Sequence, residues 1–189
     1  MTELEVYISS YFGAPTDAVG KLSTLFVEEE LKRDDIHTRT GSYHGRLSFV
    51  RSGYLRIYKQ TELKEVTQWI SSPGEFTADL NAIMFNQPAR WTIQALTDCQ
   101  LYTIHQEDYK KIGTLIPEWT NLERLFLGKC FITLEERVFS FLSLTAEERY
   151  KLFFEERKEL FNLVSLQYIA SMLGMTPETF SRIRKKMSS

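Results

Sequence analysis

The feature that most constrains this chain is the spacing within residues 165–186, Ser165-Leu-Gln-Tyr-Ile-Ala-Ser-Met-Leu-Gly-Met-Thr-Pro-Glu-Thr-Phe-Ser-Arg-Ile-Arg-Lys-Lys186. Leu166, Ile169, Ala170 and Leu173 fall on one face of a helix, with the small Ala170 where a second helix would cross closely. Gly174 ends that helix, because the reversal needs a positive φ that glycine adopts without a Cβ clash. Thr176-Pro177 restarts it, the threonine as a cap for free amides and the proline preorganised for the first helical position. The spacing therefore predicts a helix-turn-helix.

In its second helix Phe180, Ile183 and Met187 share the side that packs inward. At about 100° per residue, Glu178, Ser181, Arg182 and Lys185 point outward. Such a face suits a DNA major groove, since arginine can bridge guanine O6 and N7 while glutamate accepts from cytosine N4. Arg184 and Lys186 flank it where phosphates would lie. With Thr176 and Thr179 at the helix start, the set expected at DNA is Thr176, Glu178, Thr179, Ser181, Arg182, Arg184, Lys185 and Lys186. An ordinary αα-hairpin with a solvated basic end is the bland alternative.

Charge is distributed to match. Residues 176–189 carry four basic groups and one acidic group within a 189-residue chain of formal charge −2, so the remainder sums to −5. An acidic body with a basic tip favours contact through the tip over indiscriminate coating of nucleic acid. A hydrophobic content of 43%, with thirteen Phe and nine Tyr, supplies a core for one domain or two small ones. Cys99 and Cys130 match no metal-ligand spacing and are expected to be reduced, buried small hydrophobes. With no secretory or membrane segment in view, the expected location is the cytoplasm.

Upstream, residues 3–25 read as two short helices separated by Gly13-Ala14-Pro15. From about residue 26 the hydrophobic period changes to alternation. The strand candidates are 47–50, 54–58, 66–70, 90–96 and 100–104, with a short helix over 77–85. Strands at that spacing predict a sandwich or roll. After His105 the pattern is helical: one short helix over 106–115, then a long one from Pro117 to about Leu144. That long helix carries more apolar surface than one roll needs, which predicts a seam with a second copy. Thr145-Ala-Glu-Glu148 is a capping box opening a further helix to about Lys158.

This order resembles the Crp/Fnr family of bacterial transcription regulators over nearly the whole chain. The runs that carry the resemblance are Phe49-Val-Arg-Ser-Gly-Tyr-Leu-Arg56, Pro73-Gly-Glu-Phe76, Glu147-Glu-Arg-Tyr150 and Tyr168 through Arg184. The last is similar to the short regulators of Bacteroidetes-type bacteria. The resemblance implies an α+β fold. Its parts are a double-stranded β-roll like that of cyclic nucleotide-binding domains with N-terminal helices (1–116), a long dimerisation helix (117–144), and a winged-helix-like helix-turn-helix (145–189) whose final wing is expected to be absent. It implies double-stranded DNA, a second copy of the chain and RNA polymerase as partners, a small-molecule effector of unassigned identity, and no membrane. It also implies base contacts by Glu178 and Arg182, whereas Pro177 stands where many members carry an arginine.

The resemblance places an effector site at Gly74, Glu75, Arg90 and Trp91, by analogy with the family cassette that holds a cyclic nucleotide. Anion binding by a guanidinium and a helix start is sound chemistry. Here the interval from Glu75 to Arg90 is longer than the nucleotide-binding pattern, and Trp91 replaces a small hydroxyl residue. No cofactor is assigned, with cyclic nucleotide the candidate effector. The protein is not expected to be an enzyme. The alternatives are a cupin-like metal-dependent enzyme using His37, His44, His105 and Glu75, and an effector-binding or partner-binding module without DNA.

Overall fold

Thr2 opens helix α1 (Glu3–Phe12) with a reciprocal capping box, its hydroxyl accepting from the Glu5 amide while the Glu5 carboxylate accepts from the Thr2 amide. In this computed structural model, which describes residues 1–187, Leu4, Ile8 and Phe12 turn the buried stripe of α1 onto the roll. Helix α2 (Thr16–Ser23) adds Ala18, Val19 and Leu22 to the same layer.

Eight strands follow: β1 (Val27–Leu31), β2 (Ile36–Thr38), β3 (Arg46–Ser52), β4 (Leu55–Gln60), β5 (Glu65–Ser71), β6 (Phe76–Ala78), β7 (Thr92–Ala95) and β8 (Cys99–His105). They form two antiparallel four-stranded sheets, ordered β1-β8-β3-β6 and β2-β7-β4-β5. Alternation in β3 explains the layering: Leu47 and Phe49 belong to the cluster with the helices, while Val50 packs with Leu55, Ile57, Ile93 and Leu101 between the sheets. Gly53 makes the β3–β4 turn at φ 87°, and a Cβ there would meet the Asp98 carbonyl oxygen at 2.4 Å, so only glycine fits.

The interior also holds a polar chain. His37 is buried, its Nδ1 2.9 Å from the Thr38 hydroxyl and its Nε2 2.8 Å from the Ser48 hydroxyl, which in turn lies 2.8 Å from the Thr103 hydroxyl. Burial lowers the His37 pKa to about 3, so the ring is neutral.

Several expectations need correction. Residues 77–85 are not one helix: β6 pairs with β3, and helix α3 (Leu80–Phe85) begins only after Asp79, which caps it by accepting from the Ala82 amide. The strand expected over 90–96 is β7, which starts at Thr92 and not at Arg90. The expected helix over 106–115 divides into single turns α4 (Gln106–Tyr109) and α5 (Ile112–Leu115). Strand β1, too acidic for a simple alternation signal, is set by pairing with β8, where Glu29 meets Arg46 and His105 at 3.6 and 3.2 Å.

Helix α6 (Trp119–Ser143) buries Trp119, Leu122 and Phe126 against the roll, Phe126 stacking on Phe12 at 4.7 Å. Its second half carries Phe131, Leu134, Val138, Phe139 and Leu142 exposed, Leu142 at 81%. The Thr145–Glu148 capping box forms at the start of α7 (Ala146–Glu156), followed by α8 (Leu160–Leu163), α9 (Leu166–Met172) and α10 (Pro177–Met187). Tyr150, Phe153, Phe161, Ile169, Phe180 and Ile183 pack these helices together, and the cluster runs on into Ile70 and Leu96 of the roll. Met187 is exposed and does not join that core as its spacing predicted. No helix among the described residues is long and apolar enough to cross a membrane.

Candidate functional site

The turn between α9 and α10 is built by hydrogen bonds that glycine makes possible. Gly174, at φ 69°, donates to the Ser171 carbonyl, and Met175 donates to the Ala170 carbonyl at 2.9 Å, closing α9 with a Schellman pair. Phe141 of α6 lies against Gly174, where a Cβ would meet its ring at 2.7 Å. Thr176 then caps α10, its hydroxyl accepting from the Thr179 amide at 3.2 Å.

Phe180 and Ile183 are buried under α10, which leaves Glu178, Ser181, Arg182 and Lys185 exposed on its outer side, with Arg184 and Lys186 beside them. The hydrogen bonds of the Glu178 amide and the Thr176 hydroxyl hold the Glu178 carboxyl below the usual carboxylate range, so it is an ionised acceptor. Lys186 reaches back to Glu147 at the start of α7, at 2.8 and 2.9 Å. Thr176 is exposed and Thr179 half-buried, their hydroxyls 3.3 Å apart.

The residues expected to form an effector site have other partners. Gly74, at φ 85°, faces Tyr7 of α1. Glu75 accepts from the Trp69 indole at 3.2 Å and the Ser72 amide at 3.0 Å, and its carboxylate is ion-paired with Arg157, which follows α7. The carboxylate that opens α3 is Asp79, not Glu75. Asp79 is buried, and its second oxygen accepts from the Arg90 and Trp91 amides at 2.6 and 2.9 Å. The Trp91 ring packs against the cluster between the sheets, and the Arg90 side chain is exposed. An internal carboxylate thus occupies the start of α3, one part of the place that the resemblance assigns to an outside anion.

Sequence reasoning missed a set of arginines between the roll and the helical head. Arg56 of β4 is 2% exposed, sandwiched between the rings of Tyr58 and Tyr168 at 4.2 and 3.8 Å. It donates to Thr67 at 2.8 Å and Glu65 at 2.6 Å. Next to it the Thr67 amide donates to Ser171 of α9 at 2.9 Å. Arg137 donates to the Met172 carbonyl at 2.9 Å, and Arg149 to the Leu173 and Leu144 carbonyls at 3.2 and 2.6 Å. The available signal was an arginine inside the apolar run Tyr54-Leu-Arg-Ile, where solvent could not be its partner.

The metal-enzyme alternative finds its ligands dispersed. Both His37 nitrogens face hydroxyls, His105 pairs with Glu29, His44 is exposed, and Glu75 is committed to Arg157. Among the described residues no three His, Cys, Asp or Glu side chains gather as a metal site. Burial raises both thiols, Cys130 to about 11, so each is protonated at neutral pH.

Taken together, the two four-stranded sheets and the helices that close them define a β-roll of the cyclic nucleotide-binding type, and residues 28–113 match the family model "Cyclic nucleotide-binding domain". The c-di-GMP responsive global regulator CLP of Xanthomonas campestris is similar in structure at a TM-score of 0.67 and 17% identity, with 92% of each chain covered. FixK2 of Bradyrhizobium japonicum is similar at 0.68 and 18%, covering 86% of this chain and 84% of that one. The catabolite activator protein of Thermus thermophilus is similar at 0.58 and 19%, covering 96% and 86%. At such identities these likenesses establish a shared fold. No curated protein sequence matches the chain.

Proposed function

We propose that this protein is a homodimeric, sequence-specific DNA-binding transcription regulator of the cytoplasm and not an enzyme. Residues 145–189 are its helix-turn-helix head, 117–144 its dimerisation helix, and 1–116 the roll that receives an effector or partner signal. The observation that carries this reading is the outer side of α10, where an ionised acid, a hydroxyl and cations stand exposed above a buried Phe180–Ile183 stripe. The regulators named above, which share the fold over most of their length, support it.

Arg182 reads guanine, Glu178 reads cytosine, and Ser181 and Lys185 assist. Arg184 and Lys186 hold phosphate, Lys186 exchanging Glu147 for it. Thr176 and Thr179 shape the helix start, where backbone amides face the DNA strand. Selection of bound sequences from a random duplex pool should return a two-fold symmetric consensus. On that consensus Arg182→Ala should cost about 1–3 kcal/mol and relax one position, while Lys186→Ala should lower the salt slope by about 1. Equal losses on specific and random duplex for Arg182→Ala would refute the base-reading role.

The exposed apolar half of α6 supports the dimer, because Phe131, Leu134, Val138 and Leu142 recur three and four residues apart along a helix that offers them no cover of its own. A charge at such a symmetric seam is buried twice. Leu142→Glu should therefore raise the dimer dissociation constant about tenfold to a hundredfold in sedimentation equilibrium, with the helical circular dichroism signal kept. An unchanged constant would remove α6 as the seam.

Effector control would act as a population shift between head arrangements. A cyclic nucleotide at Gly74, Glu75, Arg90 and Trp91 would have to displace Arg157 from Glu75 and Asp79 from the Arg90 and Trp91 amides. That favours a signal received elsewhere.

A further inference from the structure

Where the roll, α6 and the head meet, the protein forms a cleft of about 150 Å³ that is open to solvent on one side. Its walls come from four elements: Trp69 of β5, Arg137 and Phe141 of α6, Leu152 and Phe153 of α7, and Met172 at the end of α9. The floor is apolar, and the cations are set on aromatic rings. Arg137 lies 5.2 Å from the centre of the Trp69 ring and 5.6 Å from that of Phe141, and Arg149 lies 4.9 Å from Phe141.

The charge balance of this cleft is uneven. Of its three guanidinium groups, Arg157 is neutralised by Glu75. Glu156, the one carboxylate in the wall, is exposed at the rim. Arg137 and Arg149 spend their described hydrogen bonds on main-chain carbonyls alone. Burial by itself lowers the Arg137 pKa to about 10, with no carboxylate opposing it. A half-buried cation held without a counter-charge is costly, and a guanidinium has five N–H groups, of which the Met172 carbonyl takes one. The chemical complement of such a pair of cations is an anion of modest size.

We propose that this junction is a binding site for a small aromatic carboxylate, with the carboxylate on Arg137 and Arg149 and the ring system between Trp69, Phe141 and the apolar floor. A guanidinium fork pairs with a planar carboxylate through two parallel hydrogen bonds. The apolar floor and the nearby Glu156 select a monoanion over a phosphate, whose second charge would have to be stripped of water beside an acid. Because the walls belong to the roll, α6 and the head at once, occupancy would tie their relative positions together. The site itself stands on the protein alone; only its consequence for operator affinity rests on the regulator reading above.

The probe is 2-naphthoate, titrated calorimetrically into the full chain, with neutral 2-naphthamide as the matched control. The expected result is saturable binding of one naphthoate per chain, with the amide weaker by about tenfold or more, the worth of one charge-assisted contact. Arg137→Met should abolish that preference for the acid. Should this variant fold poorly by circular dichroism, Leu152→Trp, which narrows the mouth and keeps both arginines, should cut naphthoate affinity about tenfold on its own. Equal binding of acid and amide, no saturation up to about 5 mM, or unchanged affinity in both variants would overturn the proposal. So would loss of self-association by Arg137→Met without any naphthoate binding, which would make the cleft a socket for a second copy.

Discussion

Acidification from pH 7 to pH 4 should destabilise this protein by on the order of 3 kcal/mol through one side chain, His37. The sign follows from the shift. Burial lowers the folded-state pKa to about 3, against about 6.5 in an unfolded chain, so between those values the unfolded state takes up a proton that the folded state refuses. The contribution is complete above pH 6.5 and drains away as pH falls toward 3. Refusal is enforced by geometry: the ring sits between the Thr38 and Ser48 hydroxyls, Ser48 is itself bonded to Thr103, and no carboxylate faces the ring to welcome an imidazolium. The check is the difference in urea unfolding free energy between wild type and His37→Gln across that range. Gln can bond the same hydroxyls but does not titrate, so its curve should lose most of the slope between pH 6.5 and pH 4. Parallel curves would show that His37 carries none of it. The exposed carboxyls that are lowered, Asp98, Glu148 and Glu178, lose their contribution only as pH falls through and below the ordinary carboxylate range, so they overlap the His37 window at its acid end alone.

The second large effect belongs to Arg56. Its guanidinium, 2% exposed, is compensated by the Glu65 carboxylate at 2.6 Å, the Thr67 hydroxyl and two tyrosine rings, one of which, Tyr168, comes from α9. Removing the cation empties the space between those rings and leaves Thr67 without its partner. Glu65 is 43% exposed and keeps water as a partner, so the cost comes from the emptied space and the unpaired Thr67 hydroxyl, together about 2–4 kcal/mol. Arg56→Ala should show that loss in chemical unfolding, and limited proteolysis should cut the head faster than the roll. Arg56→Met, which refills the volume without the charge, should recover part of the stability and none of the Tyr168 cation–π contact. If Arg56→Ala unfolds within about 0.5 kcal/mol of wild type, the arginine is a passenger and not a strut.

The contrast between these residues and α10 shows what a linear reading can reach. Local chemistry was legible: Gly174 and Thr176 act on neighbours within five positions, and the structure gives them the turn and the cap that their spacing called for. Strands with clean alternation, such as β3, β4 and β5, lie where the period placed them. Strand β1 was not, because its three successive glutamates make sense only beside β8 and the cations that approach Glu29.

The partners of the expected effector set were hidden for a related reason. Glu75 follows a glycine, as the family cassette would have it, but its partner Arg157 arrives from 82 residues away, and the carboxylate that caps α3 is Asp79. Nothing near position 75 signals that exchange. Arg137 and Arg149 are equally mute, since their value lies in which carbonyls and rings the tertiary fold brings beside them.

The head and the roll share Ile70 and Leu96 as common property of one apolar cluster. Fully wetting two such side chains costs roughly 3–6 kcal/mol, more than a typical allosteric coupling of about 1–3 kcal/mol can supply. On the proposed regulator reading, a signal would therefore cross as a tilt or slide of greased surfaces that stay in touch, and not as a hinge flung open.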